Sequence, residues 1–351
     1  MSAGLIPIRN IYFLLCYAWR HRQELRYVDR RTESCESIAE LMAVVLTQSA
    51  QQLVKRGLHR DYILQRDRLL RPKGKILPSE DVRRPLFTDP RRTCKFDDLS
   101  PNTLPNRIIA ETIRRLARCE DVGEERRHNL AEVGGFFAGF RPIALDSRVF
   151  RRVQLHRNMR HYRFAIHVCK LIHRQLLPTA EAGRGRFHDF QRDEARMGAL
   201  FEEFVRNFLA TEQSVYRVSA ATVPWDVDED RSSQQGLQLL PIMRTDIRLE
   251  SETDKVIVDC KFYAHAFQSH FDTQKFLSGH LYQLLAYLQN QSVVPGWSKV
   301  RGMLLYPVNG TAFDERVAIQ GHEIRVVSID LGKEHQNIAE TLLRLFPRSS
   351  I

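Results

Sequence analysis

Several features that mark common classes of protein are missing from this sequence. Its six cysteines form no CxxC pair, so neither a structural zinc site nor a thioredoxin-type motif is supported. No stretch approaches the roughly 20 apolar residues that a membrane-spanning helix requires. No GxxxxGKS/T phosphate loop is present, so the chain is not expected to hydrolyse nucleoside triphosphates itself. It also contains neither an internal repeat nor a low-complexity tract.

The N-terminal stretch 5–19 is apolar enough to raise the question of a signal peptide. Arg9 and Asn10 interrupt it, and no small-residue cleavage site follows within reach. We therefore expect a soluble, cytoplasmic protein whose scattered thiols stay reduced.

The composition is that of an ordinary globular protein with a strong basic bias. Hydrophobic residues make up 43% of the 351 residues and charged residues 27%, which excludes disorder as the main state. This length is more than one hydrophobic core usually fills, so two domains are expected. The net charge of +11 favours a nucleic-acid partner, because cationic side chains release counterions from phosphates.

The first half of the chain predicts helices around a small β-rich insert. Apolar side chains at helical spacing indicate one helix near 11–18 and another over about 37–55, with Gly57 as its C-terminal cap. Over about 61–97, short apolar runs lie among prolines and a glycine, which is typical of strands and turns. A further helix ends near Arg118. We expect this half, residues 1–165, to form the first of the two domains.

The second half, residues 166–351, predicts a mixed sheet with helices packed on its faces, so the fold class is α/β (α+β). Helices are expected over about 193–209, 274–289 and 334–346. Strands are expected over 237–250, 255–263, 300–306 and 324–329, with a turn at 251–254 joining the first two.

The residues most suggestive of chemistry end the strand 255–263. Asp259 and Lys261 are two residues apart, so a strand projects both to one face. A hairpin through 251–254 would bring Asp246 close to Asp259. Two carboxylates suit Mg²⁺, with the main-chain carbonyl of Cys260 as a third ligand and the lysine beside the attacking water. The alternative is a surface Asp–Lys ion pair on an edge strand.

Two nearby helices carry polar side chains that could serve the same site. Gln283 and Tyr287 are four residues apart on the helix over 274–289, so they share one face and could contact DNA or support Lys261. Glu202 and Glu203 lie on the helix over 193–209, and one of them could reach the metal. Ordinary surface polarity explains either pair equally well.

The segment 148–163 is unusually rich in arginine and histidine. It carries Arg148, Arg151, Arg152, His156, Arg157, Arg160, His161 and Arg163. A solvated helix face and a stripe that contacts phosphate or another subunit are both consistent with this pattern.

One set of motifs resembles the RecB-type branch of the PD-(D/E)xK nucleases: Asp246, the tripeptide Asp259-Cys-Lys261, and Gln283-x-x-x-Tyr287. Thr245 stands where that motif usually has proline. Nearly the whole chain, in order, is similar to the McrC family, the nuclease subunits of McrBC modified-cytosine restriction systems. The similar segments are IPIRNIYFLLCYAW (6–19), LVKRG (53–57), FD (96–97), NTLPN (102–106), FHDF (187–190), LPIMRTD (240–246) and VDCKFY (258–263).

This resemblance implies a function beyond what the residues alone indicate. It implies a Mg²⁺-dependent endonuclease domain at 166–351 that cuts double-stranded DNA carrying modified cytosine. It also implies that the first half docks on a McrB-like AAA+ GTPase hexamer, with Arg71, Arg83 and Arg84 of the insert facing the central pore. Dimerisation through the nuclease domain remains open, as do a degenerate adaptor of a AAA+ motor and a stand-alone RecB-type repair nuclease.

Overall fold

The computed structural model describes residues 6–32, 34–81, 90–178, 185–262, 267–270 and 273–346. Its helices are α1 (Ile8–Ala18), α2 (Val28–Thr32), α3 (Ile38–Arg56), α4 (Pro78–Asp81), α5 (Leu104–Leu116), α6 (Glu124–Gly135), α7 (Ser147–Arg151), α8 (Tyr162–Gln175), α9 (Glu194–Glu212), α10 (Gln234–Gln238), α11 (Ser278–Ser292) and α12 (His335–Leu345).

The strands are β1 (Asp61–Leu69), β2 (Lys75–Ile76), β3 (Arg92–Ser100), β4 (Leu176–Pro178), β5 (Gly185–Phe187), β6 (Arg217–Ser219), β7 (Thr222–Val223), β8 (Met243–Arg244), β9 (Ile247–Glu250), β10 (Lys255–Cys260), β11 (Phe267–His270), β12 (Thr273–Phe276), β13 (Arg301–Pro307), β14 (Asp314–Ile319) and β15 (His322–Ile329). Within the described ranges, no helix is both long enough and apolar enough to cross a membrane.

The chain divides into two compact units. Residues 36–188 form one, which we call the helical unit, and the described parts of residues 1–35 and 189–351 form the other, which we call the sheet unit. This division differs from the boundary expected at 165/166. α1 is buried on nearly all sides and packs on α9, where Phe13 contacts Phe204 and Tyr17 contacts Phe208. An apolar helix needs cover on every face, so the first residues belong with the sheet.

The sheet unit is organised around a mixed six-stranded sheet in the order β14-β15-β13-β10-β9-β6. β10, β13 and β15 are parallel neighbours, while β9, β6 and β14 are antiparallel to the strands they pair with. This arrangement, with helices on its faces, confirms the expected fold class. β10 therefore lies inside the sheet and ends at the same edge as β13.

Opposite faces of this sheet are covered by different helices. Leu284 and Leu288 of α11 pack against Leu304 on one face. A Cβ added to Gly302, two residues earlier on β13, would lie 2.8 Å from Leu288 Cδ1, so the glycine lets α11 approach closely. Side chains alternate along a strand, so Phe262, beyond β10, points to the opposite face from Asp259 and contacts Phe201 of α9.

The helical unit holds α3, α5, α6 and α8, which pack on one another, together with the β-rich insert. β1 and β3 pair antiparallel over their full length, from Asp61↔Ser100 to Leu69↔Arg92, and β2 adds to β3. The insert predicted over 61–97 is therefore confirmed, extended to residue 100 and interrupted by α4.

Some expected elements were placed wrongly. Residues 237–250 do not form one strand, because α10 ends at Gln238 and a bend separates β8 from β9. The helix expected from residue 274 begins at Ser278, after β12. The basic segment 148–163 is not one helix either: α7 ends at Arg151, and α8 begins only at Tyr162. Short polar runs carry weak periodicity, so neighbouring contacts decide such elements.

Candidate active site

The strand β10 carries Asp259 from the core to the sheet edge. Its residues Val256, Ile257 and Val258 are buried between the two layers of helices. Asp259 follows them and is only 1% exposed, which is unusual for a carboxylate. Lys261 lies just past the end of the strand, and its main-chain N–H donates to the Leu305 carbonyl at 2.9 Å. Tyr263, the expected end of this strand, lies outside the described residues.

Asp246 lies in the bend just before β9, next to β10. The β9–β10 pairing ends at Val258↔Ile247, so the following residue of β10 lies beside Asp246. The main-chain N–H of Cys260 donates to Asp246 Oδ2 at 2.8 Å. The structure therefore brings Asp246 and Asp259 together, as the hairpin predicts.

Thr245 stands where the motif usually has proline, and it forms hydrogen bonds through both its main chain and its hydroxyl. Its main-chain N–H donates to the Ala221 carbonyl at 3.0 Å, a bond that proline could not form. Its hydroxyl lies 3.1 Å from that carbonyl and accepts from the Ala221 N–H at 3.3 Å. The departure from the motif thus fixes the backbone just before Asp246.

Lys261 is held in a row of polar contacts. Its Nζ lies 2.9 Å from Asp259 Oδ2 and donates to Gln283 Oε1 at 2.7 Å. Gln283 Nε2 in turn donates to the Tyr287 hydroxyl at 2.8 Å. Tyr287 is a buried residue of α11 in the hydrophobic core, so the row joins the lysine to the core of the sheet unit.

On α9, Glu202 rather than Glu203 belongs to this region. Glu202 Oε1 accepts from Arg206 NH1 at 2.5 Å, and the same nitrogen donates to the Asp246 main-chain carbonyl at 3.1 Å. Glu203 is exposed. Arg206 was not anticipated from the sequence, although its position four residues after Glu202 is a recognisable helical ion-pair spacing.

Burial and like charge make the two aspartates difficult to ionise together. Burial, followed by the charge of Asp259, raises the pKa of Asp246 to about 7. Burial also raises the pKa of Asp259, although Lys261 opposes the shift. Glu202 raises both pKa values further. Two nearby carboxylates with raised pKa values form a site that a cation would stabilise.

His280 and Tyr306 adjoin this region, and neither was among the expected site residues. His280 Nδ1 lies 2.8 Å from the Tyr306 hydroxyl, and burial together with Lys261 lowers the pKa of the imidazole. The thiol of Cys260 is unsuited to nucleophilic attack, because burial raises its pKa well above the ordinary range.

The residues present fit a hard divalent cation. Asp259 Oδ2 is buried and, among the described residues, accepts no hydrogen bond of ordinary geometry despite the nearby charge of Lys261. Within the same residues, no three His, Cys, Asp or Glu side chains gather closely enough to hold a metal. Two carboxylates with a main-chain carbonyl and water would still satisfy Mg²⁺, which keeps several waters.

Comparisons with known proteins agree with this fold. A family model described as McrBC 5-methylcytosine restriction system component matches residues 9–307. The chain is 32% identical over 346 residues to the Escherichia coli (strain K12) protein named Type IV methyl-directed restriction enzyme EcoKMcrBC, and the match covers 99% of both sequences.

The chain is also similar to a solved structure from Thermococcus gammatolerans. That structure is a refined half-complex from a tetradecameric assembly of McrB AAA+ hexamers with bound McrC. Its TM-score is 0.59 at 19% identity, over 98% of this chain and 77% of that one, which supports the fold alone. From the extent of the family match and the identity to the E. coli protein, the chain belongs to the McrBC 5-methylcytosine restriction system component family.

Proposed function

We propose that this chain is the Mg²⁺-dependent endonuclease subunit of a McrBC-like, modification-dependent restriction system. The observation that carries the proposal is the meeting of Asp246, Asp259 and Lys261 at one edge of the mixed sheet, in a chain of this family. Paired carboxylates beside an ammonium group suit metal-assisted phosphodiester hydrolysis. They do not suit simple packing, because burying charged groups destabilises a fold.

Asp246, Asp259 and the Cys260 carbonyl would hold the metal. When bound, Mg²⁺ would stabilise charge on the phosphate and lower the pKa of a bound water. Lys261 is placed to orient the attacking water or to offset negative charge as the bond breaks. Gln283 and Tyr287 hold the lysine through the contacts at 2.7 and 2.8 Å, and Gln283, which is exposed, could also reach DNA.

The carboxylate of Glu202 would add negative charge near the metal. It is close enough to raise the pKa values of both aspartates. Its contact with Arg206 ties α9 to the Asp246 backbone. The carboxylates would thereby remain in one arrangement before metal or DNA arrives, which favours catalysis because less reorganisation is needed.

The three-stranded insert is the proposed docking element for a McrB-like AAA+ GTPase hexamer. Tyr62, Leu64 and Leu99 lie on one face of β1 and β3 and are 71%, 56% and 48% exposed. Large apolar side chains grouped on an exposed sheet usually mark a protein interface. Arg71 is exposed beyond the end of β1, whereas Arg83 and Arg84 lie outside the described residues.

The proposed substrate is double-stranded DNA with modified cytosine, recognised by the partner. The name of the E. coli relative, a methyl-directed restriction enzyme, supports this assignment. We further propose that this chain stimulates nucleotide hydrolysis by the partner and that cutting both strands brings two nuclease domains together.

The decisive experiment is cleavage of methylated and unmethylated plasmid with Mg²⁺, by the chain alone and with its AAA+ partner plus nucleotide. Cutting only of methylated plasmid in the full mixture supports the proposal. Cutting by the chain alone would indicate a stand-alone repair nuclease instead. Stimulation of the partner's nucleotide hydrolysis without DNA cleavage would indicate a regulatory adaptor.

A further inference from the structure

The net positive charge of this chain comes entirely from the helical unit. Residues 36–188 contain 30 Lys and Arg against 17 Asp and Glu, a net charge of +13. The remaining residues contain 23 against 25, a net charge of −2. The sheet unit, which carries the proposed active site, therefore lacks the excess cations that hold a nucleic-acid backbone.

Within the helical unit, arginines concentrate around one cavity. The cavity has a volume of about 380 Å³, and its lining includes Arg107, Arg141, Arg152, His59 and His156. The three arginines come from α5, from the segment after α6 and from the residue after α7. The only acidic side chain among the lining residues, all of them described, is Asp61.

Five more exposed arginines lie in residues 148–163, the segment that also contributes Arg152 and His156 to the lining of the cavity. We call these five, together with the three arginines of the cavity, the arginine surface; the five are Arg148, Arg151, Arg157, Arg160 and Arg163. Among the described residues, none of the eight forms an ion pair with a carboxylate, whereas Arg206, Arg301 and Arg325 of the sheet unit each pair with at least one.

Within the described part of this chain, the guanidinium groups of the arginine surface contact mainly neutral acceptors and few carboxylates. The Arg107 guanidinium donates to the main-chain carbonyls of Arg141 and Pro142 at 3.0 Å each, which orients it without neutralising its charge. Asp146 lies nearby, where it caps the first turn of α7 by accepting from the Val149 N–H at 2.7 Å. A surface with this charge balance repels itself unless an anion covers it.

We propose that the arginine surface binds the phosphate backbone of double-stranded DNA and supplies the affinity that the sheet unit lacks. Guanidinium groups match phosphate oxygens in a two-pronged geometry, and a cavity of this size accepts a phosphate group with its sugar. The inference rests on the proposed function, since it assigns DNA binding to the helical unit and DNA cleavage to the sheet unit.

An acidic surface of the protein partner is the competing occupant. The size of the cluster favours DNA, because repeated phosphates present regularly spaced charges to many arginines at once.

The test compares two triple variants of the full chain with equal changes in charge. The first is Arg151→Gln, Arg152→Gln and Arg157→Gln. The matched control is Arg30→Gln, Arg192→Gln and Arg231→Gln, three exposed arginines of the sheet unit for which the described residues provide no carboxylate partner. Binding to a fluorescein-labelled duplex of about 30 base pairs is measured by anisotropy in EDTA, over a series of salt concentrations.

We expect the first triple variant to bind DNA roughly tenfold more weakly. The plot of log K against log salt should also become less steep by about 2 to 3, because each lost phosphate contact reduces the magnitude of this slope by about 0.9. The control should change far less. Equal losses in the two variants would overturn the proposal. So would unchanged DNA binding with loss of the complex with the AAA+ partner, which would make the surface a protein-docking site.

Because binding is measured without metal, this result is independent of cleavage. Asp259→Asn should bind the duplex at least as tightly as the unmodified chain, because the substitution removes a negative charge and no cation. An Asp259→Asn variant that still cuts would contradict the proposed function while leaving the assignment of the arginine surface intact.

Discussion

The main-chain N–H of Cys260 donates a hydrogen bond of 2.8 Å to Oδ2 of Asp246. This bond ties the bend before β9 to the end of β10, and it favours the charged form of the carboxylate. Burial and the charge of Asp259 outweigh it, so the pKa of Asp246 still rises to about 7. Without a cation, the aspartate pair therefore opposes folding at neutral pH.

Asp246→Asn should stabilise the metal-free chain above pH 7. Between the ordinary pKa of 3.8 and the folded pKa of about 7, the folded state keeps a proton that the unfolded state releases, so stability falls as pH rises through this window. Asparagine keeps an acceptor for the Cys260 N–H and carries no charge. Thermal unfolding in EDTA at pH 8 should show a midpoint higher by on the order of 2 °C.

At pH 5 this gain should be smaller, because folded Asp246 is then mostly protonated, and it should disappear only below about pH 3.8, where the unfolded state is protonated as well. Adding Mg²⁺ at pH 8 should stabilise the unmodified chain and not the variant, since binding to the folded state alone raises stability. Equal stabilisation of both proteins by Mg²⁺ would argue against Asp246 as a ligand.

Asp259→Asn should abolish cleavage by the assembled complex, with a rate loss of at least about 10³-fold, because a metal ligand is lost while the shape is kept. Co-purification with the AAA+ partner should be unchanged, since Asp259 is buried in the sheet unit. Glu229→Gln, an exposed acidic residue before α10, is the matched control. Cleavage at the unmodified rate would remove Asp259 from the proposed site.

Lys261→Ala should reduce cleavage by roughly 10² to 10⁴-fold without weakening Mg²⁺ binding, because the lysine acts on water and charge rather than on the metal. Tyr287→Phe removes the hydroxyl that accepts from Gln283, so the lysine is held less firmly. We expect a smaller loss there, about 3 to 10-fold. Single-turnover cleavage measures both, with exposed Lys299→Ala as control. Equal losses for Lys261→Ala and the control would disprove the assignment.

Arg206→Met should weaken Mg²⁺ binding by roughly 10 to 100-fold, because the Asp246 backbone and Glu202 lose the contact that holds them in place, and this outweighs the loss of a nearby positive charge. Calorimetric titration of metal into the full chain tests this without relying on activity. Arg196→Met serves as control, since Arg196 pairs with Asp193 at the start of the same helix. An unchanged metal affinity in Arg206→Met would show that the contact does not position the site.

Gly302→Ala should destabilise the sheet unit by about 1–3 kcal/mol, because the added Cβ would meet two buried leucines of α11 and force them out of place. Gly279→Ala on α11 is the matched substitution in open space, and it should be neutral or slightly stabilising. Chemical denaturation of both variants measures the difference. If the two substitutions had the same effect, close packing of α11 on β13 would not be limiting.

Much of the sheet and the pair Asp259 and Lys261 could be predicted from the sequence. The run of β-branched residues before Asp259 requires a buried strand, and two-residue spacing on a strand places both heads on one face. The apolar stripe of α11 likewise follows from helical spacing, as does the shared face of Gln283 and Tyr287. These features are local, because the backbone geometry of a single element decides them.

Other features depended on contacts between distant parts of the chain. Nothing in residues 6–19 shows that α1 packs on α9, because an apolar helix has no preferred partner until the whole core is assembled. Only the assembled sheet unit brings Arg206 to the Asp246 carbonyl and selects Glu202 over Glu203. The sequence by itself determined which residues could perform the chemistry; the tertiary structure decided which of them meet, because such contacts depend on long-range packing rather than spacing.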